Sequence, residues 1–112
     1  MPRTVSATPI ASGKIRHPDV AALDLATIMR TVGDPVRLAI VRDLADGRER
    51  ACGDLQSALG IPASTGSYHL RLLREAGVTR TRAEGTTRWI SLRGDDLEAR
   101  FPGLLNTILA AA

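Results

Sequence analysis

The 112-residue sequence predicts a mostly α-helical domain with a small β-hairpin wing, a winged helix-turn-helix. Three observations carry that reading. Apolar residues recur at helical spacing from Pro18 onward, two short helical stretches meet at the link "GIP", and beyond Gly77 the period drops to two before a last apolar helix begins. A chain of this length supports one core. With 44% hydrophobic but only 3% aromatic residues, that core is built from Leu, Ile, Val and Ala, a composition that favours helices.

Residues 1–17, "MPRTVSATPIASGKIRH", mix Pro, Ser, Thr and Gly without a period and read as a flexible arm ahead of a domain spanning 18–112. Arg3, Lys14 and Arg16 in this arm could brush a phosphate backbone, although an untethered tail describes it better. From Pro18, "PDVAALDLATIMRTV" sets Leu25, Ile28, Met29 and Val32 at helical spacing, with Asp19 as first-turn acid or cap and Gly33 at the end. The next helix carries both punctuation marks. Asp34 is its N-cap, Pro35 its first residue, Leu38, Val41 and Leu44 share a face, and Gly47 lies beyond the end. "ACGDLQSALG" is a short helix that stops at Gly60 with Leu55 and Leu59 inward, and Ala63–Ala76 forms the second helix of the pair, closed by Gly77. "VTRTR" and "TTRWISLR" then flank "AEG", a hairpin signal. Finally "DDLEARFPGLLNTILAAA" restarts a helix behind its acids. Pro102 kinks or restarts it, and Leu104, Leu105, Ile108 and Leu109 form an apolar side.

On a 3.6-residue wheel the helix from Ala63 has two faces. Gly66, Leu70, Leu73 and Gly77 make an inward stripe, and Ser64, Ser67, Tyr68 and Arg71 fall opposite. A glycine inside a helix costs roughly 1 kcal/mol relative to alanine. Its inward position assigns Gly66 to close approach of the preceding helix, with local flexibility as the other reading. The outward side is small, polar and singly basic, which suits the major groove of duplex DNA. Short hydroxyls, Thr65 included, let the backbone approach base edges and phosphates, Arg71 can fork onto a guanine or a phosphate, and Tyr68 offers a ring and a hydroxyl. On an ordinary exposed face the same hydroxyls would only be caps.

Fifteen Lys and Arg against 12 acids give a net charge of +3. The excess is focused. Between Ser64 and Arg93 stand Arg71, Arg74, Arg80, Arg82, Arg88 and Arg93 against Glu75 and Glu84, the footprint of a polyanion partner. Arg80 and Arg82 alternate on one hairpin strand and Arg88 sits on the other, so that basic side chains reach a phosphate backbone or minor groove, while Trp89 anchors the wing to the body.

The stretches "VGDPVRLAIVRDLADG", "CGDLQSALGIPASTGSYHLRLLREAGV" and "RAEGTTRWISLR" together resemble the arsenic-repressor (ArsR/SmtB) family of bacterial winged-helix repressors. The resemblance runs from about Leu25 to Arg93, and the tail "LRGDDLEARFPGLL" is similar to a subgroup of such regulators. It implies a homodimeric transcriptional regulator, a repressor released by an effector, whose first and last helices pack against those of its partner. The apolar side of the last helix supports this separately, being more apolar surface than a short chain hides alone. A twofold dimer sets its recognition helices about 34–36 Å apart over a near-palindromic operator.

Many members of that family bind a metal through a stretch reading roughly Glu-Leu-Cys-Val-Cys-Asp-Leu. Here the aligned residues are "ERACGDL", with Ala51 and Gly53 where thiolates would stand and Cys52 between them. The other common site uses Asp and His on the last helix, which has no histidine here. Neither metal site is expected, and no cofactor. His17, Cys52 and His69 are the strong nitrogen or sulfur ligands left, so an unusual site joining His17 to Cys52 across a dimer stays open, while His69 reads as structural or phosphate-adjacent. Cys52 is either a redox or electrophile sensor, at a helix N-terminus with Arg50 near, or simply a small apolar residue.

A single cysteine makes no intrachain disulfide, and no stretch approaches a membrane span or a signal core, so the expected home is the cytoplasm, with no membrane partner. No phosphate loop, carboxylate pair or nucleophile with its base can be assembled, so an enzyme is not expected. A winged helix used as a protein-interaction module would want an apolar or acidic outer face on residues 63–76, and the hydroxyls and arginines there run against it. An effector ion, small molecule or co-regulator protein is left unnamed by the sequence.

Overall fold

Asp34 shows how locally the fold is written. In the computed structural model, which describes residues 15–112, its carboxylate accepts the backbone N–H groups of Val36 and Arg37 at 2.9 and 3.1 Å, and Pro35 follows in the first turn. The Arg37 N–H in particular holds the Asp34 carboxyl below its ordinary range. The helix so begun, α2 (Pro35–Asp43), follows a 3-10 turn at Val20–Ala22 and α1 (Leu25–Val32). Asp19 does not start α1. It precedes the 3-10 turn without a side-chain cap bond, and Asp24 caps α1 by accepting from the Thr27 N–H at 3.0 Å. The aspartate that can reach an open first-turn N–H wins. On α2 the buried residues are Ile40 and Val41, with Leu44 buried at its C-cap and Leu38 only half-buried, because α1 and the next two helices all pack on this helix and rotate its inner face toward Ile40.

Two helices then meet at a sharp corner, α3 (Cys52–Leu59) and α4 (Ala63–Glu75). Gly60 takes the left-handed conformation (φ 66°), and the Ile61 N–H reaches back to the Gln56 carbonyl at 3.0 Å, which closes α3 and turns the chain. Gly66, Leu70 and Leu73 are the buried residues of α4, followed by buried Gly77, the stripe read from the wheel. Gly66 is a packing position. A Cβ there would lie 2.6 Å from Cγ and 2.8 Å from Nε2 of Gln56 on α3.

The hairpin is β2 (Thr79–Glu84) and β3 (Thr87–Leu92), with Glu84 opposite Thr87, so its turn is Gly85–Thr86 and the strands run further than "AEG" suggested. Gly85, at φ 60°, supplies the conformation such a tight turn needs. A strand absent from the sequence reading, β1 (Arg50–Ala51), pairs with β3 through Arg50–Ile90 and Ala51–Trp89, giving the order β1-β3-β2. Two residues carry no readable period. The C-terminal segment is two helices, α5 (Gly94–Arg100) and α6 (Leu104–Ala111), separated at Phe101–Gly103 around Pro102.

The first described residues close over the domain. The arm reading lies outside the described residues as far as residue 14, but His17 is held, its Nε2 accepting the Thr81 N–H of edge strand β2 at 3.0 Å. Buried Arg93 donates to the Pro18 carbonyl at 2.8 Å, and Arg100 on α5 donates to the carbonyls of Val20 and Leu23 at 3.1 and 2.8 Å. Leu23 joins the core with Ile28, Leu44, Leu55, Leu73 and Ile90 and packs onto Gly77, whose φ is 84°. Replacing Gly77 by alanine imposes a left-handed L-residue and drives its Cβ into Leu23. The Gly77→Ala variant should lose about 2–4 kcal/mol of stability, read as a lower urea midpoint at unchanged m-value.

Candidate nucleic-acid interface

The outer face of α4 is open along its length. Ser64, Thr65, Ser67, Tyr68 and Arg71 are all exposed. Pro62 stands at the N-cap, no side chain caps the helix, and among the described residues the hydroxyls of Ser64, Thr65 and Ser67 make no hydrogen bond. They are therefore not spent on capping. The first-turn N–H groups are left for an outside acceptor, on the end of the helix where the dipole favours an anion. Arg71 lies 5.6 Å from the centroid of the Tyr68 ring and 3.5 Å from Glu75, an exposed pair of little worth that a stronger acceptor displaces. Tyr68 in turn meets the His69 ring edge-on, with centroids 5.3 Å apart.

His69 faces the other way. Its Nδ1 is 3.1 Å from Nη1 of Arg37 and 3.9 Å from the Asp34 carboxylate, and Arg37 Nε donates to the Thr31 carbonyl at 2.6 Å. The histidine thereby keys α4 to the start of α2, which is the structural of the two roles its position allowed.

The wing arginines have separate surroundings. Register puts Arg80 and Arg82 on one face, opposite Ser91 and Trp89, and Arg88 on the other, opposite Ala83 and in line with buried Thr81 and Ile90. Arg80 bonds to Asp96 at 3.1 Å. Arg82 forks onto Glu49 at 2.9 and 3.0 Å and reaches Glu84 at 2.6 Å, contacts that raise its pKa and hold the Glu49 carboxyl below its usual range. Arg93 is buried on Asp96. Among the described residues, Arg74 and Arg88 alone of the six arginines between Ser64 and Arg93 have no carboxylate within ion-pair distance. Both belong to the basic segment, but only Arg88 was expected as a DNA contact, because Arg74 lies between the two faces of the wheel.

Cys52 is half-buried in the first turn of α3, where its sulfur accepts from Gln56 Nε2 at 3.2 Å. It borders a cleft of about 400 Å3 shared with Asp54, Thr86, Thr87 and Arg88. Burial pushes its pKa up, against the charge of Arg88. Arg50, expected to assist the thiolate, is turned instead to Asp43, 3.8 Å from its carboxylate. Among the described residues no group of three or more His, Cys, Asp and Glu side chains is arranged to hold a metal ion, and no helix is long and apolar enough to cross a membrane.

Residues 32–82 match the helix-turn-helix domain family. The chain is 42% identical over 84 residues to the helix-turn-helix-type transcriptional regulator YceK of Bacillus subtilis, covering 74% of this chain and 84% of that one. Among solved structures, the transcriptional repressor BigR from Xylella fastidiosa superposes with a TM-score of 0.63 at 32% identity, over 78% of this chain and 84% of that one. A homodimeric winged helix-turn-helix DNA-binding domain from Mycobacterium bovis, described as a possible ArsR-family regulator, gives 0.64 at 30% identity, over 77% and 78%. The chain belongs to the ArsR/SmtB family. This family member is a DNA-binding transcriptional regulator.

Two titrations test this surface. Burial and the charges of Arg93, Arg74 and Arg80 lower the His17 pKa, against a hydrogen bond to the Ile15 backbone. Below about pH 6.5, the ordinary histidine value, the unfolded chain therefore binds the extra proton more readily, and stability falls as the pH drops through that range. The loss of melting temperature between pH 7.5 and pH 5 should be smaller in His17→Gln, whose amide oxygen can still accept from Thr81. For Cys52, the raised pKa predicts alkylation by iodoacetamide at pH 7.5 slower than that of free cysteine; a faster reaction would restore the sensor reading.

Proposed function

We propose that the chain acts as a homodimeric repressor, seating α4 of each subunit in the major groove of a near-palindromic operator while the wing follows the adjacent backbone. The observation that carries this is the division of α4: Gly66, Leu70 and Leu73 are buried, and Ser64, Thr65, Ser67, Tyr68 and Arg71 stand exposed with their hydroxyls uncommitted. Arg71 reads a guanine or a phosphate, the hydroxyls admit close approach, and Arg80, Arg82 and Arg88 supply the basic field of the wing. Repression follows from occupying the operator and needs no catalytic group. The cytoplasm, where that DNA lies, is the place for this work.

A twofold partner has an apolar face to meet. Leu25 and Met29, one turn apart on α1, are 42% and 56% exposed, and Leu104, Leu105, Ile108 and Leu109 on α6 are only half-buried. Joining these surfaces across a dimer axis through α1 and α6 buries them and sets the two recognition helices about one helical turn of DNA apart. Release comes from an effector other than a metal held in the usual family sites, since "ERACGDL" lacks the paired thiolates and α6 has no histidine.

The test is a titration of purified protein against the DNA upstream of its own gene and against an unrelated duplex, at several salt concentrations. Tight, salt-resistant preference for the upstream fragment is expected. Arg71→Ala should weaken that complex by about 1–3 kcal/mol and narrow the preference. Equal binding to both duplexes, falling steeply with salt, would leave a basic surface only and favour a protein-interaction module. Light scattering should give twice the chain mass, and Met29→Glu should reduce it.

A further inference from the structure

The arginines of the basic segment sort themselves by subtraction. Arg93 is consumed by the fold, Arg80 and Arg82 are neutralised by Asp96, Glu49 and Glu84, and Arg71 has Glu75. Arg74 on α4 and Arg88 on β3 remain. They belong to elements that face each other, since Arg88 lies on the hairpin face that carries Thr79 and Thr81 inward and β2 packs on α4. Burial is the main cause that lowers the Arg74 pKa, and the charge of Arg88 lowers it further. Nearby Arg71 adds to the repulsion, and the one acid that offsets it, Glu75, is already engaged by Arg71. The Nε of Arg74 is buried without a hydrogen-bond partner among the described residues.

We infer that Arg74 and Arg88 form a clamp for a single backbone phosphate of DNA, seated where α4 meets the wing. The inference rests on α4 being the recognition helix and deepens that reading. Two guanidiniums without a carboxylate repel each other in the free protein. A phosphodiester between them replaces that repulsion with charge-assisted hydrogen bonds to its two free oxygens. Arg80 and Arg82 must first give up a carboxylate to do the same, so the inner face of the wing, not the outer one, makes the stronger backbone contact. Such a contact carries no base information. It fixes the depth and register at which the outer face of α4 meets the base edges.

The experiment uses the full chain, the upstream fragment and an unrelated duplex, each titrated across a salt series with wild type, Arg74→Gln, Arg88→Gln and the double variant. Each single change should lower affinity roughly five- to ten-fold for both duplexes, leaving the ratio between them unchanged. The double variant should lose less than the product of the two, and its slope of log K against log salt should shrink by about two, the mark of one phosphate for each subunit of the dimer. Arg88→Gln should not lower the melting temperature, because it removes a repulsion and no bond. Should Arg74→Gln fail to fold, Arg88→Glu at the exposed position places a carboxylate against Arg74 and should lose as much as the double variant. Unchanged affinity and slope in Arg88→Gln and Arg88→Glu, or effects that multiply with a slope loss of about four, would overturn the clamp. Failure of wild type to prefer the upstream fragment would sink the operator reading, while the slopes on the unrelated duplex would still decide the clamp.

Discussion

The outer face of α4, the proposed DNA-reading surface, depends on how closely the helix is held from behind, and two glycines set that distance. At Gly66 the side chain of Gln56 occupies the space a Cβ would take, and the Gln56 amide donates to the Cys52 sulfur at 3.2 Å and to the Ala63 carbonyl at 3.3 Å. One residue of α3 thus ties its own first turn to the first residue of α4. At Gly77, beyond the other end of the helix, Leu23 and Pro18 press onto a backbone that only glycine adopts without strain. The roughly 1 kcal/mol that Gly66 costs the helix is offset by contact on the buried side. An alanine at either position would lift α4 from its bed and move Ser64, Ser67 and Arg71 with it.

Arginine serves two purposes here, and the difference lies in what each guanidinium finds. Arg93 and Arg100 reach backbone carbonyls of Pro18, Val20 and Leu23 and hold the first described residues to α5. Arg82 binds Glu49 and so fastens β2 to the segment leading into β1. These contacts suit a planar, permanently charged group that bonds in several directions at once, and lysine could not replace it there. A net charge of +3 on 112 residues therefore understates how selectively the free charge is placed. Most of the basic segment is tied to carboxylates, and among the described residues Arg74 and Arg88 are the part of it without one.

Much of this was legible in the sequence because the signals are local. Asp34 and Pro35 wrote the start of α2, Gly60 and Gly77 wrote the ends of α3 and α4, and the 3.6 period sorted Gly66, Leu70 and Leu73 from Ser64, Ser67 and Arg71 without error. What was hidden depends on partners distant in the chain. β1 has two residues and exists only because Arg50 and Ala51 find Ile90 and Trp89. Asp24 replaced Asp19 as the cap because a 3-10 turn intervenes, and Asp–Val–Ala–Ala does not announce one. The neutralisation of Arg82 by Glu49, 33 residues away in sequence, leaves no trace in a charge count over Ser64–Arg93. Arg74 is counted there, but its lack of a carboxylate is not legible for the same reason, since it is defined by the carboxylates that other arginines take.

Asp96 links the wing to the C-terminal half of the molecule. A single oxygen, Oδ2, accepts from Arg80 on β2 at 3.1 Å and from Arg93 at 3.0 Å, and Arg93 continues to the Pro18 carbonyl. The outer face of the wing, the first turn of α5 and the segment beside His17 therefore meet at one carboxylate. A shift of α5 cannot preserve both bonds, because Arg93 is buried and its guanidinium fixed by Pro18, whereas Arg80 is exposed and its strand lies at the sheet edge. The bond to Arg80 is thus the weaker of the two. It tethers the outer face of the wing to α5, while α4 is held separately through Gly66 and Gly77.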